Sequence, residues 1–286
     1  MEERAAFMAV SGGRLWTARR GSGRPLVLCH GGPGAYDYLG SLAAMLEDRF
    51  TVLRYDQRGS GRSEVTGPVT MAAMIDDIEA LRRALGIEAW IAGGHSFGAN
   101  LALAYAAAHP ARVRAILYVS GTGLDPAWHA EYVERRLERL ARAEQEEFAR
   151  LRADLPTFPG PATDGARRRL RELSRVADVV DPCCLNRIPD FSDHPVSDAV
   201  NVSLGAEWEA LSVTPAFRAA VATIPAPALL LHGAGDPRPA RFVEDLARRL
   251  LRAEFHLLPD CGHWPWIERP DPCAARLRSF LRGVPP

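Results

Sequence analysis

The pentapeptide Gly94-His95-Ser96-Phe97-Gly98 directly follows the apolar run 90–93 and directly precedes a stretch rich in alanine and leucine. A serine lifted into a sharp strand-to-helix turn needs small residues two places away on either side, and its strained backbone holds the hydroxyl above the sheet. That setting marks Ser96 as a nucleophile rather than an ordinary loop serine. The same turn puts the Phe97 backbone N–H at a helix N-terminus, where it faces developing negative charge. A serine hydroxyl is a weak nucleophile near neutral pH; it needs a base, and the base needs an acid to orient it. Asp236 closes the run Leu231-His232-Gly233-Ala234-Gly235-Asp236, just past an apolar strand, and His263 closes Asp260-Cys261-Gly262-His263, just past the following one. Nucleophile, acid and histidine in that order suit a serine at such a turn. Asp125, shortly after the strand that ends at Val119, is the competing acid. The chemistry these residues would perform is acyl transfer. It needs a second backbone donor for the oxyanion, and His30-Gly31-Gly32-Pro33-Gly34 leaves the chain bare enough for an N–H, that of Gly32, to approach a carbonyl.

The surrounding elements place these groups. A hairpin is expected over residues 7–11 and 15–19, turned by Gly12-Gly13. Strands are expected at 26–29, 50–55, 90–93 and 113–119, and helices at 38–46 and 71–85, with residues 101–107 on a third. In the second of these, Met74, Ile75, Ile78, Leu81 and Leu85 recur at helical spacing and Gly86 ends the helix. Strand and helix alternate again from residue 228, through 228–231, 240–251, 254–258 and 272–281. Such alternation implies a mostly parallel sheet with helices on both faces. Between about 125 and 217 no strand–helix repeat can be traced. A long charged amphipathic helix is expected over 131–152, then Pro-rich turns and a helical piece at 166–176. The expected organisation is therefore a core domain from residues 1–124 and 218–286, with residues 125–217 inserted as a helical cap.

The chain has 286 residues, of which 47% are apolar, enough for a sizeable core, and its 35 basic residues balance 35 acidic ones. There is thus no overall positive field to gather nucleic acid or an anionic membrane, and a small-molecule substrate suits the charge better. Every basic residue is arginine, which excludes lysine chemistry. The first ten residues are too charged for a signal peptide, and no run approaches the length of a membrane span. Cys29, Cys261 and Cys273 stand alone and Cys183-Cys184 are adjacent, giving neither metal-ligand spacing nor an even disulfide framework. The expectation is a protein of the cytoplasm that needs no metal or other cofactor. Its oligomeric state is left open.

The segment His30-Gly31-Gly32-Pro33-Gly34, the run Asp56-Gln57-Arg58-Gly59-Ser60-Gly61-Arg62-Ser63, the turn at Ser96 and the pair Gly262-His263, in this order and spacing, resemble the proline iminopeptidase family of α/β-hydrolases. The resemblance covers the sheet domain at both ends of the chain. It implies the α/β-hydrolase fold, an acyl-enzyme mechanism without cofactor, and a helical cap over the active site. The run 56–63 is expected to be a structural loop in which Asp56 and Arg58 satisfy backbone groups and each other. The family's peptidases hold the substrate's free amino group with acidic side chains from the cap, and in some members with a glutamate close to the triad aspartate. Pro237 follows Asp236 here, so the local anchor is missing. The nearest cap candidates are Glu207 and Glu209, with Trp208 between them as an apolar wall; the alternative is that both are solvated helix-surface acids. An amino-acyl amide is the substrate the resemblance implies. The alternatives are an ester or carbon–carbon bond hydrolase of a small metabolite and, from a different class, a ligand-binding protein that keeps the hydrolase fold.

Overall fold

A computed structural model describes residues 3–155, 164–191 and 194–285. Its strands are β1 (Arg4–Val10), β2 (Gly13–Arg20), β3 (Arg24–Cys29), β4 (Phe50–Tyr55), β5 (Glu64–Val65), β6 (Trp90–His95), β7 (Val113–Val119), β8 (Ala228–Gly233) and β9 (Ala253–Leu258). They form one sheet in the order β1-β2-β4-β3-β6-β7-β8-β9, with the short β5 on β2. β1 and β2 are the expected antiparallel hairpin, closed where Gly12 takes φ +86°. From β4 across to β9 the pairing is parallel throughout.

The central strands read as unbroken apolar runs because both of their faces are covered. Alternate residues go to opposite layers. Val27, Ala92, Ile116 and Leu230 join one buried cluster, while Leu26, Leu28, Ile91, Leu117 and Leu229 join the other. Helices α1 (Gly40–Ala44), α2 (Met71–Ala84) and α3 (Phe97–Ala108) accompany the first half of the sheet. α1 is shorter than the 38–46 expected.

Between β7 and β8 lie α4 (Trp128–Leu137), α5 (Arg142–Asp154), α6 (Asp164–Ala177), α7 (Asp198–Ser212) and α8 (Pro215–Ala222). The long helix expected over 131–152 is in fact two. The chain breaks where Leu140 turns inward to pack with Phe148, Leu173 and Ala177, and Ala141 becomes extended. The Glu144 carboxylate accepts the Ala141 N–H at 3.1 Å and starts the second helix. This small cluster gives α4 to α6 a core of their own. By contrast Leu204 and Trp208 of α7, and Phe217 and Val221 of α8, belong to the main cluster beside α2 and α3. The chain ends with α9 (Ala240–Arg249), α10 (Pro265–Glu268) and α11 (Pro270–Arg282). Among the described residues no helix is long and apolar enough to cross a membrane.

Candidate active site

Ser96 sits between the end of β6 and the first residue of α3, at φ 57° and ψ −123°. A residue with a side chain is strained at such a φ. The turn is tight enough to explain both neighbouring glycines. A Cβ on Gly94 would overlap the Gly98 carbonyl, and one on Gly98 would overlap the carbonyl oxygens of Cys29 and His30. The Phe97 N–H opens α3 and so has no carbonyl partner within the helix, while the Phe97 side chain is buried in the core. Gly32 takes φ +53° in the loop after β3 and lines the same cavity as Ser96 and His263.

His263 is reached from β9 by the loop 259–262. Its Nδ1–H donates to Asp236 Oδ2 at 2.6 Å, which leaves Nε2 with a free lone pair. Asp236 Oδ1 accepts the Arg238 backbone N–H at 2.9 Å and an Arg238 guanidinium N–H at 3.2 Å. Burial opposes ionisation of Asp236, but His263, Arg238 and His232 outweigh it and hold the carboxyl below the usual range. For His263, burial and the Arg238 charge together outweigh Asp236 and set the imidazole below its ordinary 6.5. Asp125, the competing acid, is exposed at the entrance to α4, where it accepts the Ala127 N–H at 3.0 Å. The loop carrying His263 is clamped from behind by Glu268, whose carboxylate accepts the N–H groups of Val180 (2.8 Å), Gly262 (3.0 Å) and Trp264 (3.1 Å).

His95, inside the pentapeptide, does more than fill space. Its Nε2 lies 2.9 Å from the His263 carbonyl, which only accepts, so Nε2 carries the proton and Nδ1 must accept. The Tyr38 hydroxyl therefore donates to Nδ1 at 2.7 Å, and itself accepts the Gly31 N–H at 2.8 Å. Burial and the adjacent His263 hold the His95 pKa far below 6.5, consistent with that neutral tautomer. One directed chain of hydrogen bonds thus runs from the glycine loop, through the residue before the nucleophile, to the histidine loop.

The cleft above Ser96, open to solvent on one side, has a volume of about 1320 Å³, more than the roughly 300–1,000 Å³ usual for small-molecule sites. Tyr38, His95, Ser96, His263 and Trp264 form its base, and α4 and α6 contribute Tyr132, Arg136, Arg171 and Arg175. The three cap residues expected at the substrate lie elsewhere. Glu207 accepts the Met71 N–H at 2.6 Å, serving the N-terminus of α2. Glu209 faces His129 at 3.4 Å, and Trp208 packs edge-on against Phe217 in the core. The loop 56–63 also differs in detail. Asp56 pairs with Arg62 (2.6 Å), whereas Arg58 reaches Asp77 on α2 with two bonds of 2.8 and 2.7 Å. No group of three or more His, Cys, Asp or Glu among the described residues could hold a metal ion.

A strained serine at a strand-to-helix turn, lining one cavity with the histidine of a buried histidine–aspartate pair, on a sheet of this order, defines a class. The chain belongs to the α/β hydrolase fold family, which it matches over residues 24–270, and it is a hydrolase. More particular likenesses run over most of the chain. A proline iminopeptidase from Heyndrickxia coagulans is 27% identical, over 97% of this chain and 98% of that protein. A putative carbamate hydrolase, RutD, from Caulobacter sp. (strain K31) is 30% identical over 83% of each. In three dimensions the chain resembles the crystal structure of a Mycobacterium smegmatis proline iminopeptidase, with TM-score 0.71, 20% identity and 98% coverage of both; at that identity the likeness is one of fold.

Proposed function

We propose that this protein is a serine hydrolase working through an acyl-enzyme, and that the segment between β7 and β8 caps the site and shapes its cavity. The observation that carries the proposal is the strained Ser96 opening onto the same cavity as His263, whose Nδ1 is fixed by Asp236 at 2.6 Å. Ser96 Oγ attacks a carbonyl carbon while His263 Nε2 takes its proton. The carbonyl oxygen becomes an oxyanion facing the N–H groups of Phe97 and Gly32. His263 returns the proton to the leaving group, and a water, deprotonated by the same nitrogen, releases the acid and restores Ser96. Incubation with a fluorophosphonate, followed by peptide mapping, tests this: the adduct is expected on Ser96. An unlabelled but folded protein would instead support the ligand-binding alternative.

The base is the neutral imidazole, so activity is present above the His263 pKa and lost as pH falls through it. Because burial and Arg238 lower that pKa, the acid limb of kcat/KM is expected below pH 6.5. A limb above that value would show that Asp236 dominates.

The charges around the cavity favour an acyl group without a free ammonium. Asp178 is already shared by Arg136 and Arg238, and Asp198 by Arg171. The remaining lining carboxylates, Asp164, Glu172 and Asp190, are exposed, where water reduces the attraction of a unit charge at 4 Å to about 1 kcal/mol. An amine beside the triad would meet Arg136 and Arg238, whose charges are balanced by Asp178 and by Asp236 of the triad itself, so both nearby carboxylates are already paired. The amino-acyl amide reading keeps the support of the end-to-end likeness to a proline iminopeptidase. A pair of anilides that differ only in N-acylation separates the two. A screened anchor would favour the free amine by about 2 to 5 kcal/mol; the N-acylated compound is expected to react at least as fast. A strong preference for the free amine would restore the peptidase reading.

A further inference from the structure

Arg238 lies two residues beyond Asp236 and is almost wholly enclosed, with 8% of its surface exposed. Its Nη1 is 3.2 Å from Asp236 Oδ1 and 3.2 Å from Asp178 Oδ1, and its Nη2 donates to the Tyr132 hydroxyl at 2.9 Å. The guanidinium also lies over the Tyr132 ring, 4.5 Å from its centre. Asp178 follows α6 and is held in turn by Arg136 of α4, at 3.0 Å. Its backbone carbonyl accepts the His263 N–H at 2.8 Å. Four charges therefore alternate in a line, Arg136, Asp178, Arg238, Asp236, the last three buried and Arg136 partly so, and the line ends on the histidine. The first two belong to the segment inserted between β7 and β8, the last two to the loop after β8. A buried charge that loses its partner is strongly unfavourable, so each member fixes the next.

Resting on the reading of Ser96, His263 and Asp236 as a triad, we propose that Arg238 is a positioning residue for Asp236, and that Asp178, by holding Arg238, makes seating of the cap a condition for the reactive orientation of the triad. Arg238 constrains the carboxylate oxygen that His263 does not use. That leaves Asp236 one rotamer, with Oδ2 directed at Nδ1. If α4 and α6 lift away, Asp178 leaves with them, Arg238 loses its second carboxylate and its aromatic face, and the orientation of Asp236 is no longer over-determined. An open cap would then admit substrate to a weakly reactive serine, and a closed one would complete the site.

The test is the rate of fluorophosphonate acylation of Ser96 as a function of pH in the full-length protein, for wild type, Arg238→Gln, Arg238→Lys and Asp178→Asn. Asp236 from the loop after β8, Asp178 after α6 and His95 at the end of β6 contact His263 directly, and the Arg238 charge acts on it; His232 of β8 touches Asp236, Arg136 of α4 touches Asp178, Tyr132 of α4 touches Arg238, and Glu268 of α10 holds the backbone on either side of the histidine. Of these charges, Arg238 lowers the His263 pKa and Asp178 raises it. Arg238→Gln is expected to reduce the plateau rate roughly ten- to a hundredfold, the scale of a misplaced catalytic group, and to move the acid limb upward. Asp178→Asn is expected to reduce the plateau and move the limb downward. Arg238→Lys should keep the limb near its wild-type position with a lowered plateau, since it restores charge but not the fork. Folded variants that keep the wild-type plateau rate, or whose limbs stay in place or shift in one common direction, would overturn the proposal. If Arg238→Gln does not fold, the nearly isosteric Asp178→Asn decides alone, by a lowered plateau together with the sign of its shift. Failure of the wild type to label at Ser96 would instead overturn the triad.

Discussion

Ser96→Ala is expected to leave the fold intact and to lower turnover by about a millionfold, because members of a triad act as a unit and losing the nucleophile forfeits nearly all that the unit supplies. Alanine keeps the Cβ, so the turn at φ 57° carries the same strain in the variant, and circular dichroism and Tm should match wild type. Any residual rate, up to about 10³- to 10⁴-fold above water, would come from the oxyanion donors and binding alone. Fluorophosphonate labelling should vanish with turnover. A variant retaining most of its activity would end the serine-hydrolase reading.

Asp236→Asn is expected to cost about ten-thousandfold in kcat, because asparagine no longer enforces the tautomer in which His263 Nε2 is free. The environment sharpens this expectation. One carboxylate oxygen is committed to the Arg238 backbone and guanidinium N–H groups at 2.9 and 3.2 Å. An asparagine oriented to satisfy Arg238 must therefore turn its amide N–H₂ toward Nδ1, which then accepts rather than donates. The same substitution leaves Arg238 with Asp178 as its one remaining carboxylate, so Tm should fall as well. Asp125→Asn should change kcat little, since Asp125 holds one backbone N–H at the surface. The opposite pattern would transfer the acid's role to Asp125.

The candidate site residues were legible because each announces itself within a few residues. Gly94 and Gly98 flank Ser96 for a local steric reason, and Asp236 and His263 each follow an apolar strand by a short, glycine-containing loop. The sheet was legible for the same reason, since strands buried on both faces are short unbroken apolar runs. What lay beyond reach depended on side-chain direction and on distant partners. On α7, Glu207 turns toward the Met71 N–H at the start of α2, and Trp208 toward Phe217, choices set by helix packing. Arg58 found Asp77 instead of Asp56 because α2 brings that carboxylate to it. Arg238 stood in plain view beside Asp236, yet its partner Asp178 is sixty positions away in a region with no repeat to follow. The break between α4 and α5 turns on Leu140, an apolar residue that an amphipathic pattern accommodates equally well in a continuous helix.

The insertion between β7 and β8 also bears on the order in which the molecule assembles. β7 and β8 are neighbours, paired from Ile116 with Ala228 to Val119 with Leu231, although more than a hundred residues separate them. Drawing the ends of so long a loop together costs about 4 kcal/mol of chain entropy if the loop is unstructured. The private core of α4 to α6, around Leu140, Phe148 and Leu173, shortens the effective tether if it condenses first. On the ribosome, Ser96 emerges with its strand and helix long before Asp236 and His263 are synthesised. On the triad proposed above, the nascent chain carries an inert serine, and reactivity arrives only when β8 and β9 add to the edge left open at β7.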